Sequence, residues 1–172
     1  MAAVILTVVG SDRPGLTKAL ADAVHAAGGN WLESHLARLG GRYVGSVLVD
    51  LPDGAMATLE AAAQHIDAEG LSVTVLAAVE QPALAGTMLR LELVGQDRPG
   101  IVREVTTVLA GLGVNIEDFT TSIEAGAQSG LPLFRATARL LVPAGTSTDA
   151  VGAALEAISG EIMVDFTVSS PG

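Results

Sequence analysis

The chain has 172 residues, 49% of them hydrophobic, and a formal net charge of -10. That apolar content excludes a disordered chain, and no apolar run reaches the roughly 18 residues a bilayer crossing needs. One Lys and eight scattered Arg argue against nucleic-acid and anionic-membrane surfaces, which need clustered cations, and the lack of cysteine excludes disulfides and thiolate metal sites.

The start, Met1 to Leu6, has no basic region and runs into an apolar strand, Val4 to Val9. No signal peptide is therefore expected, and a cytoplasmic location is the plain reading. From Pro14 the period changes: Leu16, Leu20, Ala23, Val24 and Ala27 mark one helical face, which Gly28-Gly29 stops. Trp31 to Leu39 reads as a strand. The turn Gly40-Gly41 predicts that Arg42 to Leu51 pairs back as a hairpin. After Pro52-Asp53-Gly54, residues Ala55 to Glu69 form an Ala-rich helix with Leu59, Ala63 and Ile66 on one side. Leu71, Val73 and Val75 then alternate with Ser72 and Thr74, a strand with one buried face.

The same order returns: strand Met88 to Val94, helix Pro99 to Leu112, strands Ile116 to Glu124 and Leu133 to Val142, helix Thr146 to Ser159, strand Ile162 to Val168. The second helix stripe is Ile101, Val105, Val108, Leu109 and Leu112. The repeat is also literal. Asp12-Arg13-Pro14-Gly15 recurs as Asp97-Arg98-Pro99-Gly100, 85 positions later. Gly10, Gly28 and Asn30 match Gly95, Gly113 and Asn115, so seven of the 21 positions from Gly10 to Asn30 are identical. A fixed-offset repeat means two copies of one folding unit. The reading is an α+β chain of two tandem ferredoxin-like βαββαβ units, each an antiparallel sheet with both helices on one face. The boundaries are 1–79 and 87–172, with 80–86 as linker.

The open sheet faces should differ. In the second unit Arg90, Glu92, Arg135, Thr137 and Arg139 alternate with core residues, which gives a mixed face. The first unit's strands are apolar on both faces and need a cover, either the partner unit or another chain. A homodimer or larger assembly is expected. The loop 125–132, longer than its counterpart, is either a lid or a neutral insertion.

Each repeated motif sits where a strand gives way to a helix. Pro14 and Pro99 are placed at the first helical position. Gly15 and Gly100 leave room for another group to approach the unpaired amides, and these amides with the helix dipole favour an anion such as a carboxylate. Asp12 and Asp97 either cap the helix or accept from a ligand ammonium. Arg13 and Arg98 are either part of the site or solvated charges. Asn30 and Asn115 offer both a donor and an acceptor, or only mark a turn. A donor for carboxylate and an acceptor for ammonium is what a free α-amino acid requires.

The pattern Gly-x-Asp-Arg-Pro-Gly-[Leu/Ile], about fifteen residues, then Asn-[Trp/Ile] resembles the ACT domain, a small regulatory module that senses amino acids. Two such units with nothing else resemble the glycine-cleavage-system transcriptional repressor family. Asn115-Ile116-Glu117-Asp118 fits that family's usual wording, whereas Trp31-Leu32-Glu33, with Gly29 before Asn30, departs from it. By position, the resemblance implies ligand loops at Asp12, Arg13, Pro14, Gly15 and Leu16 with Asn30, and at Asp97, Arg98, Pro99, Gly100 and Ile101 with Asn115. It also implies a protein partner in place of direct DNA contact.

Catalytic, metal and cofactor sites are not expected. His25, His35 and His65 form no close pair of the kind zinc requires, and no phosphate-binding glycine loop or nucleophile elbow occurs. Glu117 and Asp118, adjacent on a strand, should point to opposite faces. Three functions remain open: an amino-acid-binding regulator acting through a partner, a scaffold without ligand, and a detached regulatory subunit of an amino-acid enzyme.

Overall fold

The computed structural model describes residues 2–67, 70–79, 85–126, 130–158, 160 and 162–168. The chain divides into two compact units, 1–81 and 82–172. Most of the expected linker, residues 80–84, and the middle of the long hairpin loop read as a lid or a neutral insertion, 127–129, lie outside the described residues.

The first unit runs β1 (Ala2–Ser11), α1 (Leu16–Ala26), β2 (Asn30–Leu39), β3 (Arg42–Leu51), α2 (Met56–Asp67), β4 (Leu71–Ala77). The second runs β5 (Thr87–Gln96), α3 (Ile101–Gly111), β6 (Asn115–Ala125), β7 (Pro132–Val142), α4 (Thr148–Glu156), β8 (Met163–Val168). The sheets are ordered β2-β3-β1-β4 and β6-β7-β5-β8, and every neighbouring pair is antiparallel. This is the βαββαβ ferredoxin-like architecture, twice. None of the described helices is long and apolar enough to cross a membrane.

The stripes read from the sequence form the cores. Leu16, Leu20, Ala23, Val24 and Ala27 of the first unit are all buried, as are Ile101, Val105 and Leu109 of the second; Val108 and Leu112 pack at its margin. Strand residues Val4, Leu6 and Val8 meet the helices in the first unit. Leu89, Leu91 and Leu93, with Phe134, Ala136, Ala138 and Leu140, do so in the second.

Both open faces are mixed, although the first unit's strands are expected to be apolar on both sides. In the second sheet Arg90 pairs with Glu92, and Arg135 with Glu124. In the first, Ile5, Val9, Val44, Leu48 and Leu76 share the side opposite the core with Thr7, Ser46, Ser72 and Thr74; Val9 is 55% and Leu76 52% exposed.

Both repeated helices end alike. The Gly28 amide donates to the His25 carbonyl and the Gly29 amide to Val24. Gly113 and Val114 donate to Ala110 and Leu109 in the same way. This is the Schellman ending, whose left-handed position demands glycine; φ is 71° at Gly28 and 69° at Gly113. Gly10 and Gly95 are set by space. A β-carbon at Gly10 would lie 2.5 Å from the Gly70 carbonyl oxygen, and one at Gly95 would lie 3.1 Å from Ile162 Cγ1.

Candidate functional site

The helices begin two residues later than the proline spacing suggests, at Leu16 and Ile101. Pro14 and Pro99 are not the first helical residues. They precede Gly15 (φ 95°, ψ -6°) and Gly100 (φ 90°, ψ -4°), which is the type II turn with Pro at its second position and a left-handed Gly at its third. In the second unit the Ile101 amide closes that turn on the Arg98 carbonyl. The turn holds each Asp away from the helix, so neither helix has a side-chain cap. A helix of this kind leaves its first amides without intrahelical partners.

In the first unit this loop borders an open pocket of about 580 Å3 lined by Asp12, Arg13, Pro14, Gly15, Leu16, Thr17, Lys18 and Tyr43. A β-carbon at Gly15 would meet nothing within 4 Å, so its role is the backbone angle, not clearance within the unit. Leu16 is buried and offers the site its amide alone. The hairpin supplies side chains that the motif does not contain. Tyr43 Oη lies 2.6 Å from Thr17 Oγ1, and Arg38 Nε lies 3.1 Å from Asp12 Oδ2. Lys18 pairs with Asp22 on the helix. Tyr43, two residues past the Gly40-Gly41 turn, is brought to the loop by its pairing with Gly10.

The second loop has different surroundings. The register that sets Tyr43 beside Gly10 sets Phe134 beside Gly95, and Val102 replaces Thr17. Arg98 forms a two-pronged ion pair with Glu104, Nη1 to Oε1 at 2.8 Å and Nη2 to Oε2. The Asp97 amide donates to the Pro132 carbonyl at 3.0 Å, tying the motif to the base of the long hairpin loop. Ile101 is buried.

The hydrogen bonds from Arg98 hold the Glu104 carboxyl below the usual glutamate range, against a raising effect of desolvation; the charges of Arg98 and Arg103 add to the lowering. A depressed carboxyl contributes stability that is present above its unfolded pKa and is lost as pH falls through its folded one. In an NMR titration Glu104 should show a midpoint below the ordinary value of about 4.3, and Arg98→Ala should return it to that range. A Glu104 midpoint unmoved by Arg98→Ala would rule the pair out.

The asparagines do not join the loops of their own units. Asn30 pairs with Asp50, which pairs with Ala3, whereas Asp12 follows Ser11 at the other end of β1. At roughly 3.3 Å per residue those ends are about 26 Å apart. Asn115 is placed likewise, through Leu141 and Met88, away from Asp97. Beyond each asparagine the strand bulges, between Trp31 and Glu33 and between Ile116 and Asp118. The bulge interrupts the simple alternation expected at Glu117-Asp118, and Glu117 instead accepts a hydrogen bond from Asn115 Nδ2. His25, His35 and His65 are exposed. Among the described residues no group of three or more His, Asp or Glu is placed to hold a metal.

ACT-domain family models match residues 2–75 and 89–134. The crystal structure of an unknown protein from Galdieria sulphuraria is similar over 98% of this chain and 99% of its own, with 27% identity and a TM-score of 0.80. A protein provisionally named a glycine cleavage system transcriptional repressor is similar over 98% of both chains, with 16% identity and a TM-score of 0.70, which bears on the fold alone. No curated protein matches the chain by sequence. The repeated loops, the paired strand-helix units and both family matches place the chain in the ACT-domain family, with two such domains in tandem.

Proposed function

We propose that the protein is a non-catalytic regulator that binds a small α-amino acid, glycine or serine, at an Asp-Arg-Pro-Gly loop and passes the occupancy to a protein partner. One observation carries the reading. Of the seven residues from Gly10 to Asn30 that are identical between the copies, four answer to backbone geometry: Gly10 to a close approach, Pro14 and Gly15 to the turn, Gly28 to the helix ending. Asp12, Arg13 and Asn30 do not. Their chemistry is that of a zwitterion site: a cation and helix-end amides for the carboxylate, an aspartate for the ammonium, an amide for either.

If Asp12 and Asn30 touch the same ligand, their separation within one unit requires two copies of the chain. The apolar residues on the open face of the first sheet, among them the half-exposed Val9 and Leu76, support such an assembly. Light scattering at micromolar concentration should show a dimer or larger, and a monomer would count against it. For the partner, the acidic charge argues for a protein in place of DNA. The two-unit relative named as a repressor supports a transcription factor, and a metabolic enzyme is the alternative; affinity capture followed by mass spectrometry separates the two.

A thermal-shift screen against the twenty amino acids tests the ligand. Stabilisation follows RT ln(1 + [L]/Kd), about 2.7 kcal/mol at a hundredfold excess over Kd. Asp12→Ala should remove the shift and leave the melting of the empty protein nearly unchanged. Flat curves to millimolar ligand would favour a scaffold whose sites have lapsed, a reading to which the self-paired second loop lends some support.

A further inference from the structure

We infer that a second copy of this chain docks on the open face of the first sheet, the two sheets stacked about a two-fold axis through the middle of the face with their strands running oppositely. This rests on the assembly proposed above and names its surface; it does not depend on which ligand binds. Three observations carry it. First, the two units allow a like-for-like comparison. Ile5, Thr7, Val44, Leu48 and Thr74 stand at the register positions of Arg90, Glu92, Arg135, Arg139 and Asp165. The second sheet shows this face charged, and the first carries none of those charges. Second, the face is self-complementary. Thr74, Thr7 and Ser46 form a hydroxyl row across the sheet, with Leu76, Ile5 and Leu48 on one side of it and Ser72, Val9 and Val44 on the other. Along β3 the outward residues read Arg42, Val44, Ser46, Leu48, Asp50. An axis through the hydroxyl row sets Val44 over Leu48 of the other copy and Arg42 over its Asp50. Hydroxyls, which donate and accept, meet at the centre, and opposite charges meet at both rims. Glu33 and His35 also face this way, on edge strand β2, where they hydrogen-bond to each other.

Third, the same operation brings together the two ends that a shared ligand would need. Arg42 pairs with Ser11, next to Asp12, and Asp50 pairs with Asn30. Setting Arg42 over Asp50 of the other copy therefore carries the Asn30 end of one sheet to the Asp12 end of the other. The size is adequate. Four strands about 4.8 Å apart and about 30 Å long offer on the order of 600 Å2 per copy, or about 1,200 Å2 in total, the lower bound of stable interfaces. Two sheets stack in this way about 10 Å apart, with strands aligned within about 30°. Chains of net charge -10 repel one another, and an uncharged centre lets two of them meet without burying like charges.

The test is analytical ultracentrifugation of the full chain across micromolar concentrations, with circular dichroism to confirm folding. Ile5→Arg and Leu48→Arg each introduce the residue the second sheet carries at that position, and each should reduce the mass from two chains to one without changing the spectrum. Arg42→Asp and Asp50→Arg should each weaken the dimer about tenfold by setting like charges opposite one another. The double variant Arg42→Asp/Asp50→Arg should restore it. A dimer unmoved by Ile5→Arg and Leu48→Arg would overturn this surface and leave the assembly standing. Single charge changes without effect, or without rescue in the double variant, would overturn the two-fold arrangement. A natural chain that stays monomeric, its face bare or covered by its own second unit, would overturn both the surface and the assembly. Should either arginine variant unfold, the charge exchange decides alone.

Discussion

Gly45→Ala should destabilise the first unit by about 3 kcal/mol, near the upper end for a forced overpacking. Gly45 lies in the middle of β3, with φ at 150°, and a β-carbon there would sit 1.9 Å from the His35 carbonyl oxygen and 2.9 Å from Leu36 Cα. Those are backbone atoms of the paired strand, so no rotamer change relieves the clash; β2 must move away. The second unit has Ala136 at the matching register position, buried without difficulty, so the requirement is local and not a rule of the fold. By contrast, Gly15→Ala meets no atom within 4 Å and should cost only the left-handed backbone penalty, about 1–2 kcal/mol. The chain's single tryptophan, Trp31, packs against the first unit's core. Its fluorescence in a urea melt therefore reports that unit alone. A Gly45→Ala midpoint equal to that of the natural chain would show that the strands are not held this closely.

Asp12→Ala and Asn30→Ala should each abolish ligand binding as pure proteins, yet mixing them should restore part of it. Within one unit the two positions are at opposite ends of the sheet, so a shared ligand draws them from different chains. In a two-fold dimer each site would pair Asp12 of one copy with Asn30 of the other. Half of the randomly exchanged dimers then carry one intact site of two, and about a quarter of the natural capacity returns. Calorimetry after equilibrating the mixture measures it. A mixture that stays inert, although subunit exchange is demonstrated, would separate Asn30 from the Asp12 site. Retained binding by Asn30→Ala alone would do the same.

Much of the fold was legible because its signals are periodic and local. The stripe from Leu16 to Ala27 sits on one helix face, and Gly40-Gly41 turns the hairpin where it should. The site was less legible because it depends on distances that sequence adjacency hides. Asn30 follows the end of α1, and a helix returning along the sheet carries it away from Asp12, not toward it. Arg38 and Tyr43 reach the loop as paired residues of the hairpin, beside the Gly40-Gly41 turn and far from Asp12 in sequence. Glu104 lies outside the shared motif, in a helix with no residue from 16 to 27 identical to its counterpart, so the repeat does not mark it. The prolines do not start the helices, for a related reason. Pro before Gly specifies a type II turn as well as a helix start, and the left-handed glycine decides for the turn.

A crystal soaked with saturating glycine or serine tests the account most directly. It should show a carboxylate oxygen within about 2.7–3.2 Å of a backbone amide among residues 16–18, with the ammonium facing Asp12. A first loop that stays empty under those conditions, or a ligand bound elsewhere on the chain, would contradict it.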